Sequence, residues 1–290
     1  MTPAHVWLTL AVVAVWGVNF VFIALGLREL PPVLFCALRY AVVALPLALL
    51  VPRPTVGWPL LAGYAATQFV GQFVLLFSAI SIGMPAGLAS LVIQLQAFFT
   101  VLLAVPVHGE RPHRLQWLGA AVAFGGVAAL GMNLPGQASA AGLGLVLAGA
   151  VSWAAGNLLT KRMGATDPKS LVAWGSLIAS PPLLAASLVL EGPARIATSL
   201  SSLSAIGLVS ILMNAYAATL FGFGAWSFLM RRYPAATVAP FALLVPITGL
   251  SSTALVLGEQ LTGWVALAAV LVVAGLALNL AGARRIAARA

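Results

Sequence analysis

The chain has 290 residues, of which 62% are hydrophobic and only 7% charged. A water-soluble surface carries roughly a quarter charged residues, so this composition excludes a soluble globular protein and calls for lipid as the covering. The formal charge of +9 does not point to nucleic acid, because the Lys and Arg residues stand singly or in pairs between apolar runs, without clustered basic and stacking aromatic side chains.

A membrane-crossing helix needs about 20 predominantly apolar residues. The apolar runs predict ten such spans, at roughly 5–27, 32–51, 58–80, 85–107, 114–133, 142–160, 168–190, 204–230, 234–257 and 261–282. The first run, from about Val6 to Leu27, lacks a basic leading segment and is too long for a signal-peptide core, so it is read as an uncleaved span. Cys36, the only cysteine, lies inside span two, which leaves no disulfide and no redox or zinc motif. Breaks between spans carry turn chemistry, as at Pro31-Pro32, Gly83-Met84-Pro85, Asp167-Pro168 and Gly192-Pro193. Several of these prolines are placed to open a helix, where the missing N–H costs nothing.

Orientation follows from Lys and Arg on alternate loops. One side receives Arg53, Arg111, Arg114, Lys161, Arg162, Lys169, Arg231, Arg232, Arg284, Arg285 and Arg289, eleven in all, and the other only Arg28 and Arg195. That split predicts cytoplasmic N- and C-termini and an even number of spans.

Two internal offsets mark a duplication. Sliding by 149 residues matches Pro85 to Pro234, Gly109-Glu110 to Gly258-Glu259 and Gly126 to Gly275, while Trp16 and Trp153 align at 137 with Asn19 and Asn157 close by. A longer second-half loop around Glu191 to Ser204 absorbs the difference. Residues 1–137 and 138–290 are therefore expected to form two five-helix repeats. An odd number of spans per repeat inverts one against the other. The expected fold is an all-α membrane protein of ten transmembrane helices around a central cavity.

Trp16-Gly17-Val18-Asn19-Phe20 in span one, Arg39-Tyr40 in span two, Gly109-Glu110-Arg111 after span four, Trp153 in span six and Gly258-Glu259-Gln260 after span nine resemble the drug/metabolite transporter superfamily, and within it the ten-helix EamA-type exporters. The resemblance covers nearly the whole chain. It implies two intertwined bundles around a central cavity in a bacterial inner membrane, and export of amino acids and related metabolites, aromatic amino acids among them. No cofactor and no metal is implied. A monomer is expected, with a dimer as the alternative.

Arg39 is the only charge well inside a span. It is expensive in lipid and must face protein, water or a partner. It either lends positive potential to the substrate path, favouring a carboxylate, or snorkels outward or pairs with Glu29 or Glu259 to pin a helix. In span three, Tyr64, Thr67, Gln68, Gly71, Gln72, Leu75, Ser78 and Ala79 share one helical face opposite Phe69, Phe73, Val74 and Phe77. Amides facing lipid would go unsatisfied. Gln72 is therefore expected on the cavity wall, and Gln68 either there or in a helix contact glued by hydrogen bonds.

Asn19, Gln94, Asn157 and Asn214 place uncharged polar groups near the middles of spans one, four, six and eight. Trp16, Trp153 and Trp226 lie away from the span ends, where they stack on a substrate or simply pack, whereas Trp7, Trp58, Trp117 and Trp264 suit the interfacial belt. Pro240 and Pro246 make span nine the expected hinge; span four lacks matching prolines.

All five acids lie in loops or at span ends. A proton-coupled cation exporter normally keeps a carboxylate in the membrane, so a neutral or zwitterionic substrate moving by facilitated diffusion or exchange fits better. A sugar-phosphate or nucleotide-sugar carrier would want more positive charge than one Arg. Ala79-Ile80-Ser81-Ile82-Gly83 only faintly matches a nucleophile elbow, and His108, Glu110 and His113 lack zinc-site spacing. A membrane-embedded hydrolase or a non-transporting scaffold remain the alternatives from other classes. Transport, not catalysis, is the expected activity.

Overall fold

The computed structural model describes residues 1–136, 138–164, 166–233 and 235–287. Pro234, Arg289 and Gln137 therefore lie outside the described residues, as does the side chain of Arg231. The described residues are helical, with no strand among them. In chain order the helices are α1 (Pro3–Gly26), α2 (Pro32–Leu50), α3 (Trp58–Ser81), α4 (Ala86–His108), α5 (Arg114–Gly131), α6 (Ala140–Arg162), α7 (Pro168–Leu190), α8 (Pro193–Ser201), α9 (Ala205–Met230), α10 (Ala239–Leu257) and α11 (Gly263–Ala287). Eight of them, α1, α3, α4, α6, α7, α9, α10 and α11, are long and apolar enough to cross a bilayer. The apolar stretch of α2 is shorter, at Pro32–Leu47, and α5 opens on the polar Arg114 and Gln116.

Starts and stops follow local chemistry. Proline occupies the first turn of α1, α2, α3, α7 and α8, its missing N–H being one of the donors a helix start leaves unpaired anyway. Ser139 and Ser204 cap α6 and α9 with their hydroxyls, and His113 caps α5 in a reciprocal box with Gln116. Gly109 and Gly258 end α4 and α10 at φ 66° and 71°, left-handed conformations that a side chain resists. The long connection expected around Glu191 to Ser204 contains α8, none of whose residues is buried.

Four helices are interrupted. The α3 backbone widens into a π-helix over Ala65–Gly71 and α9 does the same over Met213–Phe221. Short 3-10 turns tighten α4 at Ile93–Leu95 and α10 at Ala239–Leu244. Such interruptions cluster at functional segments, and all four helices meet the same cavity.

The packing is built on close approach. α1 lies along α10 and α9, α6 along α4 and α3, α2 along α7, α4 along α10, and α5 along α11. A Cβ at Gly275 would stand 2.5 Å from the carbonyl oxygen of Gly119, so α5 and α11 touch through their backbones. Small residues bring helices together in lipid, where no hydrophobic effect drives them; the Gln116 amide donating to Asn279 Oδ1 at 3.0 Å adds a polar contact to the same pair. Trp7, Trp58, Trp117 and Trp264 are all exposed at helix ends, as interfacial anchors should be.

Candidate substrate cavity

A cavity of about 670 Å³ opens between the helices, within the range of small-molecule sites. α1 contributes Trp16 and Asn19, α3 contributes Gln68 and Gln72, α4 contributes Gln94 and Gln96, and α6 contributes Trp153 and Asn157. Arg39 reaches the wall from α2. Phe223 and Trp226 come from α9, and Ala242 and Val245 from α10. One end reaches Thr160, Gly164, Thr166 and Pro168 at the turn between α6 and α7. No residue of 28–31, 82–85, 191–204 or 258–262 lines it, so it does not reach the turns at the other end.

The turns at that end are tied by carboxylates on helix starts. Glu259 accepts from the backbone N–H of Ala86 at 2.7 Å and Gly87 at 2.9 Å. Glu191 accepts from Val33 and Leu34 at 2.7 and 2.9 Å. Glu29 takes the Ser204 N–H at 2.8 Å and its hydroxyl at 2.6 Å, and the Ser204 hydroxyl first, then its amide, holds the Glu29 carboxyl below the ordinary carboxylate range. Unpaired N–H groups at a helix N-terminus are a natural seat for a carboxylate.

These caps occupy both acids open to Arg39 as partners. Glu29 and Glu259 are both engaged with backbone amides, and Arg39 is only 2% exposed, so it neither pairs with them nor snorkels. Its Nε and Nη2 donate to Thr219 Oγ1 at 3.0 and 2.8 Å. Thr219 in turn donates to the Asn214 carbonyl at 2.7 Å, five residues back along the π-helix. The guanidinium lies 4.0 Å from the centroid of the Phe73 ring, an attraction worth about 2 kcal/mol when desolvated. No acid faces Arg39 across the cavity among the described residues.

A second thread joins α1 to the same π-helix. Asn214 donates its amide to the Ser210 carbonyl at 3.0 Å, which fixes its oxygen as the acceptor from Asn19 Nδ2 at 3.1 Å. Asn214 is fully buried behind Asn19 and is not on the cavity wall, so it positions a wall residue instead of forming one. Asn157 donates to Gln96 Oε1 at 2.9 Å and Thr100 Oγ1 at 3.1 Å. Trp16 donates its indole N–H to the Ala218 carbonyl at 2.9 Å, and its ring lies 5.3 and 5.6 Å from those of Trp226 and Phe223.

The expected stripe on α3 is split. Tyr64, Gln68 and Gln72 face the cavity, joined by Phe73 and Leu76. Thr67 and Gly71 instead face α6: the Thr67 carbonyl accepts from Ser152 Oγ at 2.8 Å, and Ser152 abuts Gly71. The π-helix spreads each turn over an extra residue and so rotates the rest of α3 about its axis. Gln68 lines the cavity and also packs against Gly156 of α6, but its Oε1 has no hydrogen-bond partner there. Pro240 and Pro246 are off the wall but bracket Ala242 and Val245, which are on it. Ser81 donates to the Ser78 carbonyl at an exposed helix end, and Glu110 pairs with Lys161.

Gln96, Phe223 and the mouth residues Thr160, Thr166 and Ser227 are not singled out by the sequence. Gln96 stands two residues from Gln94, a spacing that regular helix geometry places on nearly opposite sides. One signal is present in the chain: Tyr-Ala-Ala-Thr occurs at Tyr64–Thr67 and again at Tyr216–Thr219, within or at the edge of both π-helices.

The EamA-like transporter family model matches residues 3–132 and again 140–281. The chain belongs to the EamA-like transporter family. A protein of Salmonella typhimurium named a probable amino-acid metabolite efflux pump is 47% identical over 96% of this chain and 95% of its own. The protein of the same name in Escherichia coli is 46% identical over the same shares. A solved crystal structure at 18% identity superposes over 98% of each chain with a TM-score of 0.67, which shows the shared fold. This EamA-like protein is a membrane transporter and not an enzyme, and its cavity is the place to look for the substrate.

Proposed function

We propose that this transporter exports amino acids or closely related metabolites across a bacterial inner membrane by alternating access. The observation that carries the proposal is the cavity itself: uncharged amides, indoles and one arginine on its wall, open at one end and not reaching the turns at the other. The efflux pumps named above supply the substrate class and the direction.

In this reading α1 to α7 and α9 to α11 are ten spans, grouped as residues 1–137 and 138–290. The packing supports that grouping. If α1, α2, α3, α4 and α5 exchange with α6, α7, α9, α10 and α11, then α1 on α9 becomes α6 on α3, α1 on α10 becomes α6 on α4, and the α2–α7, α4–α10 and α5–α11 pairs map onto themselves. The interruptions also correspond, π with π and 3-10 with 3-10. With the eleven-to-two bias of Lys and Arg the open end is cytoplasmic, and the state is inward-facing. Rocking of one repeat against the other, with bending near Pro240 and Pro246, then exposes the cavity to the outside.

Trp16, Asn19, Gln68, Gln72, Gln94, Trp153 and Asn157 form the binding wall in this proposal, with Asn214 behind them and Arg39 as the electrostatic element. With no carboxylate on the wall among the described residues, exchange or facilitated diffusion is the mechanism that fits. In this reading the transporting unit is a monomer, with a dimer as the alternative. Reconstitution in liposomes with labelled amino acids, with and without a proton gradient, tests this: downhill flux and counterflow are expected. No flux for any amino acid would overturn the substrate class, and gradient-driven accumulation would overturn the uncoupled mechanism.

A further inference from the structure

Four residues that line the cavity carry buried polar atoms the protein itself leaves unused. Arg39 Nη1 is buried with no hydrogen-bond partner, and so are Asn19 Oδ1, Gln68 Oε1 and Gln72 Oε1. All four residues are more than nine-tenths buried and line the cavity. One of these atoms is a cationic donor and three are acceptors. Leaving such groups unpaired is costly, and more so for a charge, so their concentration around one cavity marks what it is shaped to receive.

Arg39 and Asn19 are held in fixed relation. Thr219 Oγ1 accepts Nε and Nη2 of Arg39, which leaves Nη1 as the guanidinium nitrogen without a hydrogen bond. Thr219 reaches the Asn214 carbonyl, and the Asn214 side chain takes the Asn19 amide, which leaves Asn19 Oδ1 as the free acceptor. Gln72 adjoins Phe73, the ring beneath the guanidinium. A cationic donor and the Asn19 carbonyl oxygen therefore stand on one hydrogen-bonded frame, with Gln72 beside it on α3.

We propose that the cavity recognises a free α-amino acid by both of its charges: Arg39 Nη1 docks the carboxylate, and the carbonyl oxygens of Asn19 and Gln72 receive the ammonium, while Gln68 Oε1 lies against Gly156 of α6. The proposal rests on the cavity being the transport site and specifies the chemistry there. The carboxylate supplies the countercharge that Arg39 lacks, and charge-assisted hydrogen bonds of this kind are the strong ones. An ammonium has N–H donors only, so carbonyl oxygens satisfy it without a protein carboxylate. The substrate side chain then lies against the Trp16, Phe223 and Trp226 rings. A site built around both charges rejects a ligand lacking one, because it would leave a buried partner unpaired.

Four ligands sharing one side chain test this: phenylalanine, phenethylamine, 3-phenylpropanoate and N-acetylphenylalanine. Thermal stabilisation of the detergent-purified full chain, measured for each, is expected to give phenylalanine an affinity at least about tenfold above the other three. In proteoliposomes the same order is expected for inhibition of labelled phenylalanine counterflow. Equal binding of phenethylamine would overturn the role of Arg39, and equal binding of N-acetylphenylalanine that of the carbonyl oxygens. Gln72→Leu, which removes one acceptor without adding charge, is expected to narrow the gap between phenylalanine and 3-phenylpropanoate; an unchanged gap removes Gln72 from the ammonium site. Arg39→Lys is expected to keep the preference for a carboxylate with weaker binding. If counterflow is absent but phenylalanine alone stabilises the protein, the recognition stands and the transport assignment falls. If flux is robust but blind to the missing charge, the transport assignment stands and the recognition falls.

Discussion

Glu259 accepts the backbone N–H of Ala86 at 2.7 Å, and so fastens the turn after α10 to the start of α4. Glu110, 149 residues earlier and also following a left-handed glycine, pairs instead with the exposed Lys161. Both glutamates donate their own N–H six residues back, to Ala104 and Thr253, at 3.4 Å. Identical turns thus hold their carboxylates in different engagements, one on a helix start and one on a surface lysine. Glu259→Gln is expected to remove a partly buried anion from a helix N-terminus, worth about 1–2 kcal/mol. Melting of the purified protein should drop by several degrees, with faster amide exchange over 86–89. Glu110→Gln should stay within about 0.5 kcal/mol, as exposed pairs do. Equal effects of the two substitutions would mean that the helix cap is not what distinguishes them.

The proposed orientation is tested by labelling in intact cells. Cys36 is buried, so a Cys36→Ser background carrying Thr198→Cys on α8 should react with a membrane-impermeant maleimide from outside. Arg111→Cys should react only after the membrane is broken. Reversed reactivity would place the termini outside and turn the open end of the cavity with them.

Much of the architecture is written in apolar periodicity, because lipid demands about 20 apolar residues per crossing whatever the tertiary packing. The starts at Pro3, Pro32, Pro168 and Pro193 follow from proline, and the stops at Gly109 and Gly258 from glycine. The π and 3-10 segments are not legible this way. They arise where a side chain competes for backbone groups, as Thr219 does for the Asn214 carbonyl, and that competition is visible only once α2 brings Arg39 against α9. Asn214 illustrates the same limit. Its type and depth mark it as a wall residue, yet it stands a layer behind, because it bonds Asn19 and Ser210.

Acid should loosen the turns at the far end of the cavity. The Ser204 hydroxyl and amide hold the Glu29 carboxyl below its ordinary value, so the folded state binds that proton more weakly than the unfolded chain. The stabilisation is present above the ordinary carboxylate range and is lost as pH falls through it to the depressed value. Melting of the purified protein between about pH 6 and pH 3.5 should therefore fall less steeply in Glu29→Gln than in the parent. Parallel curves would show that the contact contributes nothing.

Gly17 marks the tightest contact of α1 with α10. A Cβ there would stand 1.9 Å from Thr248 Oγ1, 2.6 Å from Thr248 Cβ and 2.8 Å from the Gly249 backbone nitrogen. The hydroxyl could turn aside but the backbone could not, so Gly17→Ala should separate the helices at a cost of about 1–3 kcal/mol. Gly224 is also helical and has nothing within 4 Å of an added Cβ; Gly224→Ala should be neutral or slightly stabilising. Thermal melts of the pair decide the matter, and a silent Gly17→Ala would show that α1 and α10 are free to separate.

Bending of α10 is the remaining element of the proposed transport cycle. Pro240 lies in the 3-10 turn Ala239–Leu244, and Pro246 opens the α-helical remainder of α10. A proline withholds the N–H that would continue the preceding turn and clashes with the carbonyl four residues back, which fixes the break in place. α4 carries its 3-10 turn at Ile93–Leu95 with no proline at all, so the sequence of the turn tolerates regular helix there and the interruption is free to close. In the proposed cycle α10 therefore bends at a break that its prolines hold open, whereas the α4 turn has no proline to fix it. Pro240→Ala should therefore leave phenylalanine binding within about twofold and lower counterflow turnover severalfold, since a hinge acts on the rate of switching and not on the wall. Because Ala242 and Val245 line the cavity, binding must be measured alongside turnover; a loss of affinity with unchanged maximal rate would make Pro240 a support of the wall and not a hinge.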